Sequence, residues 1–566
     1  MRKFKMHKIK ELLLAIYDNT LNESVIEEFI SRVAQGRNAG MKTRKQGWDE
    51  SDVVLITYAD QFHHEDEKTL KTLGDFYNRR LNKSFSHIHL LPFYPWSSDD
   101  GFSVIDYHQV DPVCGNWDDI VKLNESTKLM FDFVCNHISA KSIWFQQYLA
   151  GNPEFENFFI SVDPETDLSA VTRPRALPLL SPFTFADGSK QHIWTTFSDD
   201  QVDLNFANPR VLLAMVDVLL HYLREGADYI RLDAVGYMWK TIGTNCIHLE
   251  KTHQLVKLFR AVVDEVAPGT VLITETNVPH KDNISYLGNG HDEAHMVYQF
   301  PLPPLVLHAI HTGSAQVLSQ WGASLETTQD RDTTWFNFLA SHDGIGLNPL
   351  RGILPEEDIL QLVNQLQEQG ALVNWKNNPD GTRSPYEINV TYMDALNRRD
   401  SNDDERLSRF ILAHAILLAF PGVPAIYIQS ILGSRNDYAG VERLGYNRAI
   451  NRQKYEQNEI ESELLGGNVL REQVYQKLSH LINVRKKQAA FHPDSSFNTQ
   501  CINDSLLMIT RHSDNGDNVL AMFNLSRESQ SFMLPENNFE DLITGVKING
   551  KQSYNMQPYQ VLWLSY

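Results

Sequence analysis

Apolar residues follow two patterns along this chain: short continuous runs, and runs spaced as on one face of a helix. The short runs predict buried parallel strands, and helical spacing separates many of them, for example from Val211 to Leu220. The predicted strands are Val53–Thr57, His87–Leu91, Leu129–Val134, Tyr229–Leu232, Val271–Thr274, Met296–Phe300, Trp335–Ala340 and Pro424–Ile428. This alternation predicts an α/β fold, a (β/α)8 barrel, with its active site at the carboxyl ends of the strands.

Segments outside the barrel show other patterns. The first residues have the spacing of amphipathic helices and predict an arm that serves as a docking element or a small lid. The gaps after the third and seventh strands are too long for simple crossovers and predict insertions over the active-site face. Short runs around Asp514 and Gly516 predict an antiparallel β-domain near the carboxyl end. The predicted bounds are 1–48 for the helical extension, 49–137, 208–344 and 400–488 for the barrel, 138–207 for an inserted domain B, 345–399 for an inserted loop region and 489–566 for the β-domain.

The charge of the chain excludes some partners. Its 566 residues include 51 basic and 71 acidic ones, a formal net charge of −20. Such a surface repels nucleic acid and anionic membranes, so an anionic substrate would need a locally basic pocket. No apolar stretch is long enough for a membrane span, and Asp18 interrupts the first apolar run, so we expect no signal peptide. The four cysteines form no CxxC pair, which predicts a reducing, cytoplasmic location.

Carboxylates stand at the ends of several predicted strands. Asp233 ends the fourth strand, Glu275 follows the fifth and Asp343 follows the seventh, so all three would project to the barrel mouth. A retaining glycosyl-transfer enzyme needs one ionised carboxylate as nucleophile and one protonated carboxyl as acid, about 5 to 5.5 Å apart. Arg231 would keep Asp233 ionised, and the apolar run before Glu275 favours a raised pKa there. Asp343 would face an oxocarbenium-like transition state.

Each of these residues also has a plainer explanation. A lone Asp at a strand end is often a helix cap, and the pair Asn136-His137 could be structural. The pair His342-Asp343 could belong to a metal site, although no third ligand accompanies it at regular spacing. The order and spacing of the segments taken together favour catalysis.

Four segments carry a resemblance to a known family. They are Asp132-Phe-Val-Cys-Asn-His137, Arg231-Leu-Asp-Ala234, Glu275 and Ser341-His342-Asp343. With them the chain resembles glycoside hydrolase family 13, the α-amylase superfamily. The resemblance implies that Asp233 is the nucleophile, Glu275 the general acid/base and Asp343 the transition-state stabiliser.

Further segments make the chain similar to the sucrose phosphorylase subfamily. They are Leu55-Ile-Thr-Tyr-Ala-Asp60, Leu91-Pro-Phe-Tyr-Pro-Trp96, Gly101-Phe-Ser-Val-Ile-Asp106, Gly115-Asn-Trp-Asp-Asp119, Ile230–Tyr237, Phe300-Pro-Leu-Pro-Pro304 and His342-Asp-Gly-Ile-Gly346. The resemblance implies a glycosyltransferase (hexosyltransferase) that works as a glycoside phosphorylase by double displacement. Asp233 would form a β-glucosyl ester, and inorganic phosphate would release it as α-D-glucose 1-phosphate. Phosphate is then a co-substrate, and no cofactor and no metal are implied.

The same resemblance assigns residues to the substrate. Those that would hold the glucosyl unit are Asp99, Phe102, His137, Arg231, His342 and Arg452, with Phe102 as its platform. Those that would line the acceptor and phosphate side are Tyr237, Phe197, Gln201 and Arg175. Arg173 and Arg175 would supply local positive charge for phosphate, unless they pair with acidic residues of their own loop.

One stretch departs from the sucrose phosphorylases. Where they have Asp-Leu-Tyr-Gln, which helps to hold fructose, this chain has Ser384-Pro385-Tyr386-Glu387, preceded by Arg383. Arg383 and Lys376 make the loop basic, which suits an anionic acceptor unless both are solvated loop charges. These features and the helical arm resemble the glucosylglycerate phosphorylases, whose acceptor is D-glycerate. Arg383, Tyr386 and Glu387 are therefore candidate acceptor-side residues.

The function predicted from these features is phosphorolysis of 2-O-α-D-glucosyl-D-glycerate. The alternatives are phosphorolysis of sucrose or sucrose 6-phosphate, phosphorolysis of glucosylglycerol, and an α-glucosidase or transglucosidase. A catalytically dead partner of a membrane transporter is disfavoured, because the carboxylate set is complete and no apolar span exists. The expected partners are a small-molecule sugar and phosphate, without nucleic acid or membrane, and a homodimer is a possible assembly.

Overall fold

Eight parallel strands form a closed barrel. In the computed structural model, which describes residues 2–325, 331–378 and 380–566, each barrel strand pairs with the next along the chain and the last pairs with the first. The strands are β1 (Val54–Thr57), β2 (His87–Leu90), β3 (Lys128–Phe133), β4 (Tyr229–Leu232), β5 (Val271–Thr274), β6 (Met296–Tyr298), β7 (Thr334–Asn337) and β8 (Val423–Tyr427). The predicted (β/α)8 barrel is confirmed. Strand β7 ends three residues earlier than predicted, because Phe338–Ala340 leave the ladder and line the barrel mouth.

The interior of the barrel carries a buried layer of polar residues. Strands β2, β3 and β4 contribute His89, Asp132 and Arg231, each at most 1% exposed. Charges this deep are tolerated only when they are paired. His89 Nε2 lies 2.6 Å from Asp132 Oδ2, and Asp132 Oδ1 lies 2.6 Å from Arg231 Nη1. The core of the barrel therefore fixes Arg231 beneath the mouth.

Helices surround the barrel. The longer ones are Thr69–Arg80, Trp117–Ser126, Pro209–Arg224, Glu250–Val266, Leu302–Thr312, Gln316–Ala323, Asp403–Ala419 and Val469–Arg485. Short helices are Ile143–Leu149, His280–Ile284, Tyr392–Ala395, Ile428–Ile431, Tyr438–Leu444 and Gln457–Ser462. Pro209 opens its helix in the first turn, where its missing N–H would be unsatisfied in any case, and the Asn208 side chain accepts from Arg210 N. Local sequence thus sets where this helix begins.

Two insertions rise from the strand ends. The first pairs His137–Ser139 with Gln201–Asp203 and Leu180–Thr184 with Lys190–Trp194. The second holds helix Glu356–Glu368 and a three-stranded antiparallel sheet, here named the insert sheet, of Ile345–Gly346, Arg383–Asn389 and Leu372–Asn377. Both insertions contribute side chains to the cavity at the barrel mouth.

The N-terminal arm packs on the outer wall of the barrel. Its helices, α1 (Arg2–Ile16) and α2 (Glu23–Asn38), lie against helices Glu250–Val266 and Pro209–Arg224. A Cβ added to Gly36 would lie 2.8 Å from Leu220 Cδ2, so glycine permits this close approach. The two roles predicted for the arm, a docking element or a small lid, stay predictions.

The carboxyl end forms a separate antiparallel sheet. Its six strands lie in the order Ser496–Asn503, Leu506–His512, Asn518–Asn524, Val561–Ser565, Phe539–Asp541 and Lys547–Ile548. Gln530–Met533 pairs with Ser553–Met556, and Phe62–His63 pairs with Tyr455–Glu456 near the barrel. The predicted antiparallel sheet is confirmed. Within the described part of the chain, no helix combines the length and the apolar character that a membrane crossing requires.

Candidate active site

Arg231 organises the carboxylates at the barrel mouth. Its Nη1 lies 2.7 Å from Asp233 Oδ1, and its Nε donates to the Tyr298 hydroxyl at 3.0 Å. Its Nη2 lies 3.6 Å from Glu275 Oε2. One fixed cation therefore faces both Asp233 and Glu275, and it lies nearer to Asp233.

The proton of this carboxylate pair resides on Glu275. Burial raises the pKa of Glu275 to about 8, against the opposing effect of Arg231. Burial also raises the pKa of Asp233, and Arg231 opposes that shift from a shorter distance. Because the guanidinium is closer to Asp233, the negative charge stays there. At neutral pH the pair thus consists of one ionised carboxylate and one carboxylic acid.

A left-handed turn follows Asp233. Ala234 has φ = 51°, a conformation that costs a non-glycine residue about 1–2 kcal/mol. This turn directs the Ala234 N–H to Glu275 Oε2, at 3.3 Å. Backbone strain therefore helps to hold the acid beside the ionised carboxylate.

Asp343 is held by a second group of arginines. Arg448 Nη1 lies 2.7 Å from Asp343 Oδ1, and Arg452 Nη2 lies 3.9 Å from the same oxygen. Arg448 also donates to both oxygens of buried Glu387, at 2.9 and 2.7 Å. Burial alone would raise the pKa of Asp343, but Arg448 and the other nearby positive charges outweigh it and hold that pKa below its usual range. Asp343 is therefore ionised.

Two neutral histidines and an aromatic ring share the mouth with these charges. The rings of Phe102 and His342 are stacked with centres 4.7 Å apart and planes at 5°. His137 Nε2 lies 3.0 Å from the Phe102 carbonyl oxygen. Burial lowers the pKa of both histidines, to about 3 for His342, so both are neutral. They can hydrogen-bond to an uncharged sugar without adding charge.

Asp99 accepts contacts from three directions. Gln201 Nε2 donates to Asp99 Oδ2 at 3.1 Å, Arg175 Nη2 lies 3.5 Å from that oxygen, and Arg452 Nη1 lies 3.9 Å from Oδ1. Burial would raise the pKa of Asp99, but Arg175 and the other arginines lower it overall. Its own backbone is left-handed, with φ = 54°. Asp99 is thus an ionised hydrogen-bond acceptor held in a strained turn.

Arg175 borders an aromatic wall. Its guanidinium carbon lies 5.4 Å from the centre of the Phe197 ring, and Phe197 meets the Tyr237 ring edge-on at 5.5 Å and 84°. The acidic neighbour of Arg175 is Asp99, which lies outside its own loop. The structure therefore does not show Arg175 paired with an acidic residue of its own loop.

One cavity of about 750 Å³ joins these groups. The residues assigned from sequence that line it are Asp99, Phe102, His137, Arg175, Phe197, Gln201, Asp233, Tyr237, Glu275, His342, Asp343, Tyr386 and Glu387. Arg231 and Arg452 support Asp233 and Asp343 through the ion contacts given above. Arg383 is exposed and stacks on Trp375, with its guanidinium carbon 5.6 Å from the ring centre. The structure does not bring Arg383 into the cavity, so we do not place it in the binding site.

Some cavity residues were missed by the sequence analysis. They are Arg448, Arg351 and Asn277, which line the cavity. None of them belongs to a sequence motif that predicts a place in the active site. Arg448 stands four residues before Arg452 in the sequence. This spacing alone does not indicate that Arg448 lines the site. Arg351 lies in the second insertion, between Ile345–Gly346 and helix Glu356–Glu368.

A buried lysine lies beside the third-strand asparagine. Lys240 Nζ lies 2.8 Å from Asp203 Oδ2 and 3.1 Å from Asn136 Oδ1. Its side chain is 4% exposed, so an ammonium group fills this polar position. Over the described ranges, no group of three or more His, Cys, Asp or Glu side chains is arranged to hold a metal ion.

Comparisons with known proteins agree with this geometry. Residues 82–347 match the model described as "Alpha amylase, catalytic domain". The chain is 62% identical to a glucosylglycerate phosphorylase of Escherichia coli over 98% of this chain and 99% of that protein, and 49% identical to one of Allomeiothermus silvanus over 92% of each. A crystal structure of sucrose 6F-phosphate phosphorylase from Thermoanaerobacter thermosaccharolyticum superposes with a TM-score of 0.73 at 27% identity, covering 86% of this chain and 94% of that one. The chain therefore belongs to the α-amylase family, glycoside hydrolase family 13, in the branch that contains the glucosylglycerate and sucrose phosphorylases.

Proposed function

We propose that the protein is a retaining glycoside phosphorylase that converts 2-O-α-D-glucosyl-D-glycerate and phosphate into α-D-glucose 1-phosphate and D-glycerate. The observation that carries this proposal is the 62% identity with a glucosylglycerate phosphorylase over almost the whole of both chains. The ionised and protonated carboxylates at the barrel mouth support it, because they are the pair that a retaining mechanism requires.

In the first displacement, Asp233 acts as the nucleophile. Its carboxylate attacks the anomeric carbon of the glucosyl unit while Glu275 donates its proton to the departing glycerate oxygen. The C–O bond to glycerate breaks as the ester bond to Asp233 forms, so a β-glucosyl-Asp233 intermediate results. Arg231 supports this division of labour by keeping the negative charge on Asp233.

In the second displacement, phosphate attacks the same carbon from the face that glycerate left. The ester bond breaks, Asp233 regains its charge, and the proton of the attacking phosphate passes to Glu275, which restores the acid. Two inversions give net retention as α-D-glucose 1-phosphate. Phosphate is already a nucleophile at neutral pH, so binding it matters more than removing its proton. Arg175, at the cavity wall, supplies positive charge for it in a protein whose net charge is −20.

The other side chains at the mouth position the sugar in this proposal. Asp343 is ionised and faces the positive charge that develops on the glucosyl ring. Asp99, His137 and His342 provide hydrogen bonds, and Phe102 provides the ring on which the sugar stacks. Gln201, Arg452, Phe197 and Tyr237 hold these groups or line the neighbouring wall, and Tyr386 and Glu387 belong to the acceptor side.

The test is phosphate-dependent release of glucose 1-phosphate from glucosylglycerate, sucrose and glucosylglycerol in parallel. We expect release from glucosylglycerate far above the other two. Release mainly from sucrose would keep the mechanism and replace the acceptor. Free glucose at the same rate with and without phosphate would make the protein a hydrolase and contradict the proposal.

We also propose that the reaction needs no metal and no cofactor beyond phosphate as co-substrate. The ammonium group of Lys240 between Asn136 and Asp203 supports this, because it already neutralises that buried carboxylate. The expected result is full activity after dialysis against a chelator. Activity restored only by added calcium would contradict it.

The location and assembly of the protein remain predictions. Its four cysteines, Cys114, Cys135, Cys246 and Cys501, are free, which supports the reducing cytoplasm as its location. A homodimer is tested by light scattering of the purified protein, and a mass near 64.9 kDa, that of one chain, would contradict it.

A further inference from the structure

Two cations meet in the cavity with a neutral group between them. Lys376 lies on the insert-sheet strand Leu372–Asn377, and Arg351 follows the short strand Ile345–Gly346; both line the cavity. Lys376 Nζ lies 3.4 Å from Asn348 Oδ1, and Arg351 Nη1 donates to the same oxygen. Two positive charges therefore converge on one amide oxygen.

This arrangement is electrostatically incomplete. Burial lowers the pKa of Lys376, and the charge of Arg351 lowers it further. Within the part of the chain that the structure describes, Lys376 forms no ion pair, and the carboxylate beside Arg351 is that of Glu356, at 3.4 Å and 53% exposed. Glu356 lies largely in solvent and offsets the repulsion between the two cations only in part, so an anion that joins them inside the cavity is stabilised by both.

A continuous stretch of cavity wall joins this pair to the acid Glu275. Asn277, two residues beyond Glu275, packs so closely on Gly346 that a Cβ added there would lie 2.4 Å from Asn277 Oδ1. Asn348, two residues beyond Gly346, contacts both cations. Asn277 Oδ1 is buried and accepts no hydrogen bond from any described residue. An acceptor whose oxygen is protonated by Glu275 therefore leaves beside a wall of the cavity that leads to the two cations.

We propose that Lys376 and Arg351 bind the carboxylate of the acceptor. This inference rests on the proposed function and assigns the residues that select a small hydroxy acid. A carboxylate has two oxygens, one for an ammonium and one for a guanidinium, and it neutralises the repulsion between them. A polyol of the same size brings no negative charge to this position.

Phosphate is the other anion of the reaction and has the same charge chemistry. It enters after the acceptor has left, so one cationic site could serve both in turn. The link from Glu275 through Asn277 favours the acceptor, and Arg173 and Arg175 on the other insertion provide a second cationic position for phosphate. Separate kinetic measurements on the two anions distinguish these sources.

The experiment compares Lys376→Met and Arg351→Met with the matched control Arg383→Gln. The control removes one positive charge from the next strand of the insert sheet, outside the cavity. For each cavity variant, we expect kcat/KM for glucosylglycerate to fall about 30- to 100-fold. We expect the KM for phosphate to stay within about twofold, and the control to match the wild type in both quantities.

A second measurement isolates the carboxylate. With α-glucosyl fluoride as donor, transfer to D-glycerate and to glycerol is compared, and each cavity variant should lose the preference for D-glycerate by about the same 30- to 100-fold. Unchanged transfer to glycerol shows that the variant is folded and still forms the glucosyl-enzyme. Lys376→Gln provides a second variant if the methionine does not fold.

Two results would overturn the inference. A raised KM for phosphate with unchanged selectivity for D-glycerate would show that Lys376 and Arg351 bind phosphate. If the KM for phosphate and the selectivity for D-glycerate both stay unchanged, the two residues bind neither anion. Failure of the proposed function looks different, because the wild type would then release no glucose 1-phosphate from glucosylglycerate. In that case, binding of D-glycerate to Lys376 and Arg351 is tested by its effect on the unfolding temperature. D-glycerate should raise the unfolding temperature of the wild type but not that of Lys376→Met, and equal increases would overturn the inference.

Discussion

The two ends of the cavity are built differently. At the barrel mouth every catalytic carboxylate faces a cation that other residues hold in place: Arg231 holds Asp233, and Arg448 holds Asp343. On the insert sheet, Lys376 and Arg351 face a neutral amide instead. The charges of the first region have buried partners before any ligand arrives, whereas the carboxylate beside Arg351 in the second region is that of exposed Glu356.

This difference indicates that the barrel mouth carries out the chemical step and that the region beside the insert sheet selects the acceptor. A paired network on strand ends is rigid, and rigidity keeps the reacting groups within the narrow geometry that catalysis requires. Two cations that lack a buried counter-charge leave a position in the cavity that a charged ligand completes. A ligand that lacks the matching charge then leaves the repulsion in place, so the same feature that attracts one acceptor disfavours another.

The largest effect is expected from Asp233→Asn. The amide keeps the shape of the side chain but cannot attack the anomeric carbon, so kcat should fall by at least about four orders of magnitude. The unfolding temperature should change little, since buried Arg231 keeps Asp132 as its partner. Steady-state rates with glucosylglycerate and α-glucosyl fluoride measure it, and a loss smaller than about 100-fold would remove Asp233 from the role of nucleophile.

Arg448→Met tests the point where the two regions touch. It leaves Asp343 and Glu387 buried without their shared cation, so kcat should fall about 10²- to 10³-fold and the free energy of unfolding by about 3–5 kcal/mol. Exposed Arg443, on helix Tyr438–Leu444, supplies the matched control Arg443→Met. Chemical denaturation and steady-state kinetics measure both quantities.

A double variant sharpens this test. Adding Glu387→Gln to Arg448→Met removes one of the two uncompensated charges and should recover part of the lost stability but little of the lost activity. Recovery of activity without stability would show that Arg448 acts through the insert sheet rather than through Asp343.

Arg175→Met tests whether phosphate has its own site. Removal of this guanidinium should raise the KM for phosphate about 10- to 30-fold, because one charge-assisted hydrogen bond is lost. The preference for D-glycerate over glycerol should remain as in the wild type. A changed acceptor preference with an unchanged KM for phosphate would show that Arg175 binds the acceptor rather than phosphate. Phosphate would then have no site separate from that of the acceptor.

The smallest effect is a pH dependence that belongs to the barrel mouth alone. Because the pKa of Glu275 is raised to about 8, the acid keeps its proton below that pH and loses it above. Phosphorolysis of glucosylglycerate should therefore decline about tenfold per pH unit beyond about pH 8. Release of fluoride from α-glucosyl fluoride needs no proton and should lack this decline. Lys376→Met should retain the decline, and its disappearance there would assign the titration to Lys376.

The barrel was predictable because its strands are buried on both faces and appear as continuous apolar runs. The same rule placed the end of β7 too late, since Phe338 and Ala340 are apolar but line the mouth outside the ladder. The strands of the insert sheet were not predicted. Leu372–Asn377 is only half-buried along its length, so its residues show neither a continuous apolar run nor clear alternation.

The site was predictable where a residue ends a strand and unpredictable where tertiary contacts decide. Asp233, Glu275 and Asp343 take their place from the strand positions alone. Arg383 and Lys376 are equivalent basic residues in the sequence. Only Lys376 lines the cavity, because Arg383 stacks on the half-buried ring of Trp375 on the neighbouring strand. Arg448 depends on contacts with residues 61 and 105 positions away, which no local pattern reveals.

The docking of the N-terminal arm has a consequence for synthesis on the ribosome. Tyr17 donates to the carbonyl of Phe206, 189 residues later, and Arg37 pairs with Glu265, 228 residues later. At about 5 to 20 residues per second, helices α1 and α2 therefore wait for about 10 to 40 seconds before their partners emerge. During that interval their apolar faces, which include Leu13 and Phe29, have only each other or a chaperone to cover them. The segment that is translated first thus cannot reach its final place before the helices Pro209–Arg224 and Glu250–Val266 have been made.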